Sequence, residues 1–232
     1  MAPKKNAATS LGEKTYRILL ERILSLEYPP EAVLVEKDLC AELKVSRPPL
    51  KEAILRLEEM DLVKTVPRFG TVVSHIDANE IGHVYEVKLD LESLACSLAT
   101  QRITEEEIKG LERLALDLEK VVKRHETLRN ENQRIDSFKK LSELDIQIHC
   151  TIWRAAHNPV LEKMLNNLHS RCLRFCRATV PLSGWNLDHV DQFLKISAAF
   201  RKKDRESAVD YIRLHNRQYI KLIRDSALRP IS

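Results

Sequence analysis

The sequence predicts a mainly α chain in two parts: an N-terminal winged helix-turn-helix carrying a small β-hairpin wing, then an all-helical bundle. Three observations lead there. Leu50, Ala53, Ile54 and Leu57 recur at i, i+3, i+4 and i+7, so one helix buries that stripe and turns Arg47, Lys51 and Arg56 toward solvent. Two β-branched runs after it, Val63 to Val66 and Thr71 to Val73, flank a Pro67-Arg68-Phe69-Gly70 tip and read as a hairpin. From residue 80 onward every periodic segment is helical, and only 5 glycines interrupt a chain rich in Leu, Glu, Lys and Arg.

The elements follow in order. Tyr16, Leu19, Leu20, Ile23 and Leu24 mark a first amphipathic helix that breaks at Tyr28-Pro29-Pro30. Glu36 to Leu43 makes a second, short helix with Leu39, Cys40 and Leu43 on its apolar side, and Lys44-Val45 is a tight connection into the third. Ser46 stands where an N-cap belongs, yet the N–H groups it would accept from fall on Pro48 and Pro49, which have none. Its hydroxyl is therefore available to another partner, and the N–H of Arg47 at the helix start is placed to meet a phosphate. The plainer alternative is a proline-started helix whose serine faces water.

Charge is less telling than motif. Residues 1–80 hold 12 basic against 13 acidic residues, so bulk charge does not predict a nucleic-acid partner. Local clustering does, at Arg47, Lys51, Lys64, Arg68 and Lys4-Lys5. So few phosphate contacts imply that two copies are needed for tight binding, hence a homodimer on a palindromic double-stranded site.

The segment from about Leu11 to Ile76 resembles the DNA-binding domain of the GntR family of bacterial transcription regulators. The residues that carry the resemblance are Glu36-Lys37, Val45-Ser46-Arg47, Leu50-Lys51-Glu52-Ala53, Arg56-Leu57, Leu62-Val63 and Gly70. It implies DNA contacts by Lys37, Ser46, Arg47, Lys51, Arg56, Arg68 and Gly70. The family usually has arginine at the positions of Lys37 and Lys51; lysine lacks the fork that grips guanine or phosphate twice, which implies an altered operator preference.

With 232 residues and 44% hydrophobic content the chain supports two cored domains, taken as 1–76 and 77–232 with a short linker at Ser74 to Asn79. In the second, Ile81, Val84, Lys88, Leu91, Ala95 and Leu98 mark one helix, and Thr104 with Glu107 forms a capping box opening the next. Further helices are expected over Ile135 to Ala156, Pro159 to Ala178, Leu187 to Lys202 and Asp204 to Ala227, with a loop at Val180 to Trp185: six in all.

Polar residues interrupt two of the apolar stripes. Asp145 and His149 lie at i, i+4 among Leu141, Leu144, Ile148 and Ile152, and His215 lies among Ala208, Tyr211, Ile212, Tyr219 and Leu222. A carboxylate and imidazoles facing one interior cost free energy unless paired or liganded. Residues 80–225 resemble the effector-binding domain, of the FCD type, found in the FadR subfamily of GntR regulators. That resemblance implies a divalent metal, zinc or nickel, held by one Asp and three His, and a small carboxylate effector beside it. Asp145, His149 and His215 match the ligand pattern; Phe193 occupies the position expected for the remaining histidine. His189, one turn earlier on the same helix face, is the alternative donor, displaced about 6 Å along the axis. A metal-free network in which Asp145 accepts from the histidines is the competing reading. Lys88, inward on its stripe, is a candidate partner for the effector carboxylate or for Asp145, and Arg171 and Arg174 are candidates with surface exposure as the alternative.

Five cysteines without paired CxxC spacing, no apolar run near the ~18 residues of a membrane span, and no secretory signal place the expected protein in the bacterial cytoplasm, at the nucleoid. Cys172 and Cys176 read as core packing, and Cys150 adjoins His149. A hydrolytic enzyme is disfavoured because no nucleophile or general base stands beside the Asp/His set, and a pure interaction module leaves Ser46-Arg47 unexplained. A DNA-binding repressor modulated by a small acid uses both halves.

Overall fold

A computed structural model describes residues 10–67, 69–179 and 187–227, with the side chains at 78, 79, 176, 179 and 222–227 excepted. Arg68, Lys4, Lys5, the expected Val180 to Trp185 loop and the Cys176 side chain therefore lie outside the described residues. The chain divides into two compact units, residues 1–78 with 170–178, and residues 79–169 with 179–232.

In the first unit the order is α1 (Leu11–Leu24), β1 (Val33–Leu34), α2 (Glu36–Leu43), α3 (Arg47–Glu58), β2 (Val63–Val66) and β3 (Gly70–Val73). The hydroxyl of Ser10 caps α1 by accepting from the Glu13 N–H, so the helix starts five residues before its first periodic residue. Lys44 closes α2 in the left-handed conformation (φ 54°), which turns the chain sharply into α3. Leu50, Ala53, Ile54 and Leu57 are all buried, as their spacing requires, against Leu19, Ile23, Leu39, Leu62, Val63 and Val73. Each such aliphatic side chain contributes roughly 1.5–3 kcal/mol by leaving water, alanine less.

The wing is a hairpin in register Val63↔Val73 through Val66↔Gly70, closed where the Phe69 N–H donates to the Val66 carbonyl. Gly70 follows with φ +99°, a conformation that side chains rarely adopt. A third strand, β1, pairs antiparallel with β3, giving the order β1-β3-β2. Two residues have no readable period, so this strand has no sequence signature of its own.

The second part contributes α4 (Ala78–Arg102), α5 (Glu105–Thr127), α6 (Glu131–Ala155), α7 (Pro159–Thr179), α8 (Leu187–Lys202) and α9 (Arg205–Ala227). Residues 170–178 of α7 belong to the first unit and its preceding residues to the second. The Thr104/Glu107 capping box opens α5 as expected. Helix α6 begins four residues earlier than its apolar period suggests, because Asn130 caps it by accepting from the Gln133 N–H. Leu111, Leu118, Leu141, Ile148, Trp153, Phe193 and Phe200 are fully buried at the centre of this unit. Among the described residues no helix is long and apolar enough to cross a membrane.

Candidate functional site

At the start of α3, Ser46 is extended (φ −80°, ψ 168°) and makes no side-chain cap bond, because the residues it would cap are the prolines that begin the helix. Ser46, Arg47 and Lys51 are exposed, the last two one turn apart on one face, and Lys37 is exposed at the start of α2. Glu58, at the other end of α3, accepts from the Thr65 N–H at 2.6 Å and ties the first wing strand to the helix.

Arg56 does not join that exposed face. Its guanidinium donates to Glu13 at 2.6 Å and lies 3.8 Å from the centre of the Tyr16 ring, so it fastens α3 to α1. The hydrogen bond to Glu13 raises the Arg56 pKa, and the bonds from Arg56 and Arg17 lower that of Glu13. One residue before Leu57, about 100° round the helix from it, Arg56 read as exposed; the Glu13 carboxylate across the α1–α3 contact decides what it touches.

Arg171 and Arg174, the other two candidate effector contacts, both meet groups of the first unit. Arg174 is buried in the first unit, where it donates to the carbonyls of Leu62, Ser74 and His75. Burial, with Arg171 nearby, brings its pKa down to about 10. Arg171 faces Asp61 at 3.4 Å in the same unit. Arg174 thereby ties together the two ends of the hairpin, Leu62 and Ser74-His75, and Arg171 meets the turn that follows α3.

In that interior, α6 and α9 bring Asp145, His149 and His215 together, all buried, with one donor atom of each within 4.8 Å of the others. The Nε2 atoms of His149 and His215 are 3.3 Å apart, and Asp145 Oδ1 is 3.6 Å from the first and 3.9 Å from the second. Asp145 Oδ1 is a buried acceptor with no hydrogen-bond donor. Burial raises the Asp145 pKa against the pull of His149 and Lys88. Burial, then His149 and His189, push His215 well below the usual imidazole range. Two nitrogens bound to one tetrahedral zinc at 2.0–2.1 Å stand about 3.3–3.4 Å apart, so the imidazole pair fits such an ion and the orphaned carboxylate oxygen supplies the third donor.

Helix α8 gives the site a different wall from the one the family pattern implies. Phe193 is fully buried with its ring centre 4.3 Å from that of His215 and 5.4 Å from that of His149. His189 is buried one turn away, its ring perpendicular to that of His215 at 5.6 Å, outside the group of three converging donors. Gln192, between them, places Oε1 3.2 Å from His215 Nδ1.

Lys88 is buried with its Nζ 3.0 Å from Glu92 Oε1, one turn along α4. Glu92 is the residue that sequence reasoning missed. It is buried, lies 2.9 Å from His149 Nδ1 in a bent contact, and accepts from Trp153 Nε1 and Asn216 Nδ2. Burial opposes its ionisation, but Lys88 and then His149 overcome that and hold its carboxyl well below the usual range. Ser93, Cys96, Ala99 and Thr100 are buried beside Ala95, so α4 is enclosed over a wide arc in which Glu92 falls, which its sequence period alone does not announce.

An exposed cationic helix start beside a wing, together with a buried carboxylate and imidazole cluster in a separate helical unit, defines a DNA-binding regulator with a ligand-sensing domain. Residues 11–73 match the model for bacterial regulatory proteins of the gntR family, and residues 83–218 match the FCD domain. The chain belongs to the GntR family, with an FCD domain as its C-terminal half, and is a ligand-responsive DNA-binding transcription regulator. It is 30% identical over 205 residues to the Nta operon transcriptional regulator of Aminobacter aminovorans, covering 87% of this chain and 90% of that one. It is 24% identical to the HTH-type transcriptional regulator McbR of Escherichia coli over 76% of each. The solved structure of E. coli McbR/YncC superposes with a TM-score of 0.78 at 20% identity, over 95% of this chain and all of that one. A putative GntR regulator from Rhodococcus gives 0.70 at 17% identity, over 93% and 98%. At those identities the two structures support the fold.

Proposed function

We propose that this regulator senses a small carboxylate through a divalent cation held by Asp145, His149 and His215, and that the liganded state alters its hold on a palindromic operator. The observation that carries the reading is the convergence of two buried imidazole nitrogens, 3.3 Å apart, beside a buried carboxylate oxygen that makes no hydrogen bond, a set of ligand atoms that one cation would hold together. A bound zinc or nickel would offer its remaining positions to a carboxylate oxygen. Phe193 removes a donor and supplies an apolar wall, so water or effector completes the coordination. His189 stands as the alternative fourth donor.

For DNA, Arg47 and Lys51 are the proposed base-reading pair, with Ser46, Lys37 and the Arg47 N–H on phosphate and the wing, with Arg68 and Gly70, along the neighbouring backbone. Two copies on one palindrome supply the affinity that few phosphate contacts cannot. Release of a repressor by the effector is the regulatory sense favoured here. A thermal-shift screen of small carboxylates with zinc, with nickel and with chelator, followed by gel shift on the operator, tests the scheme. Stabilisation by an acid only when metal is present, with altered DNA retention, is the expected result; acid-induced shifts indifferent to chelator would remove the metal from it.

A further inference from the structure

The wing hairpin ends in an apolar tip. Val66 is 40% exposed and Phe69 75%, the largest exposure among the large hydrophobic side chains described, and exposed Pro67 lies between them in sequence. Between Leu62 and Ser74 the chain carries the cations Lys64 and Arg68 and no acidic residue, so the hairpin suits a polyanion. The tip itself has little to offer a phosphate by hydrogen bond. Pro67 has no N–H, and that of Phe69 is already donated to the Val66 carbonyl at 3.0 Å. What these two residues present is apolar surface. In a duplex, the apolar surface within reach of a hairpin tip is the sugars and base edges that line the minor groove, about 6 Å wide, while α3 reads the major groove in the docking proposed above.

The tip is also held in place. Val63 and Val73 bury the base of the hairpin in the core of its unit, Arg174 donates to the Leu62 and Ser74 carbonyls beneath it, and Glu58 of α3 accepts from the Thr65 N–H midway along β2. At ~3.3 Å per residue, Val66 stands about 10 Å beyond Val63. The wing is thus fixed to the helix that begins with Arg47, and little ordering cost remains to be met when its tip enters a groove.

We propose that Phe69 is a specificity-determining residue of the operator complex: its ring enters the minor groove beside the half-site and wedges one base step partly open. A pyrimidine–purine step is favoured there, because such steps unstack most easily. The proposal rests on the docking of the wing along the neighbouring backbone, and adds a base-step preference that neither α3 nor a phosphate contact supplies.

The test uses the full-length protein and duplexes that it selects from a random-sequence library, with 2-aminopurine, which brightens when unstacked, placed in turn at positions flanking the α3 half-site. Wild type is expected to brighten the probe at one step and to prefer pyrimidine–purine over purine–pyrimidine there by about tenfold. Phe69→Ala should lose both and bind about tenfold more weakly, with an unchanged melt and an unchanged salt dependence, since no phosphate contact goes with the ring. Phe69→Leu, another wedge, should keep most of the effect. Arg68→Ala reports the docking separately, because a wing on the backbone loses about 1 in salt slope with that residue. No brightening in the wild type, or wild-type brightening and preference in Phe69→Ala, while Arg68→Ala shows its loss, overturns the wedge and leaves the docking standing. Wild-type binding and salt slope in both Arg68→Ala and Phe69→Ala remove the wing from the DNA, and the wedge with it.

Discussion

The ring of Phe193 lies 4.3 Å, centre to centre, from that of His215, at an interplanar angle of 43°. This apolar ring stands where the family pattern has a histidine, so one variant tests the inheritance of the site. Phe193→His should raise affinity for zinc or nickel by about an order of magnitude or more, as a fourth protein ligand completes a tetrahedral set. Elemental analysis and competition with a chelator measure it. Stoichiometric metal in the unmodified protein that is lost in His189→Ala would instead give the missing role to His189.

Acid should destabilise the metal-free protein early. Folded, His215 has a pKa well below its unfolded value near 6.5, so below that pH the unfolded chain binds a proton the native state refuses. Stability from this group is complete above about pH 6.5 and falls by up to about 1.4 kcal/mol per pH unit beneath it. Asp145, raised by burial, works in the opposite sense as it protonates in the folded state, while the depressed Glu92 is lost only at lower pH. Thermal melts of wild type and His215→Asn between pH 7.5 and 5.5 check this; a wild-type profile no steeper than that of the variant would rule it out.

Arg47 and Arg56 should separate cleanly. Arg47→Ala is expected to lose about 1–3 kcal/mol of operator binding per half-site and to relax base preference at unchanged stability. Arg56→Ala should leave base preference alone and cost the fold about 1 kcal/mol, from its contact with Tyr16 and a partly exposed ion pair with Glu13. Binding isotherms on operator variants at fixed salt, with a melt of each protein, decide between these roles. A changed base preference in Arg56→Ala would return that residue to the interface.

Arg174→Met should destabilise the first unit by about 2–4 kcal/mol, because three backbone carbonyls lose a buried donor. Effector-induced shifts should be retained. Loss of effector response with an intact wing, seen by hydrogen exchange at residues 62–75, would place Arg174 in sensing after all.

The sequence by itself determined the order of the helices and the hairpin wing. The i, i+3, i+4, i+7 stripe of Leu50 to Leu57, the Thr104/Glu107 box and the Pro67 to Gly70 turn are local signals, and local signals survive without knowledge of neighbours. It also placed Asp145 and His149 on one face, since a single helix sets their separation, and put His215 on the apolar stripe of the last helix among Ala208, Tyr211 and Ile212. Tertiary structure alone decided the partners. Arg56 and Arg174 read as free cations because nothing in their own helices says that Glu13, or the carbonyls of Leu62, Ser74 and His75, come to meet them. Glu92 drew no reading from the sequence, and only the approach of α6 and α9 brings it His149, Trp153 and Asn216. Side-chain period fixes which way a residue points, but a long polar side chain is assigned its role by whichever complementary group packing delivers to its end.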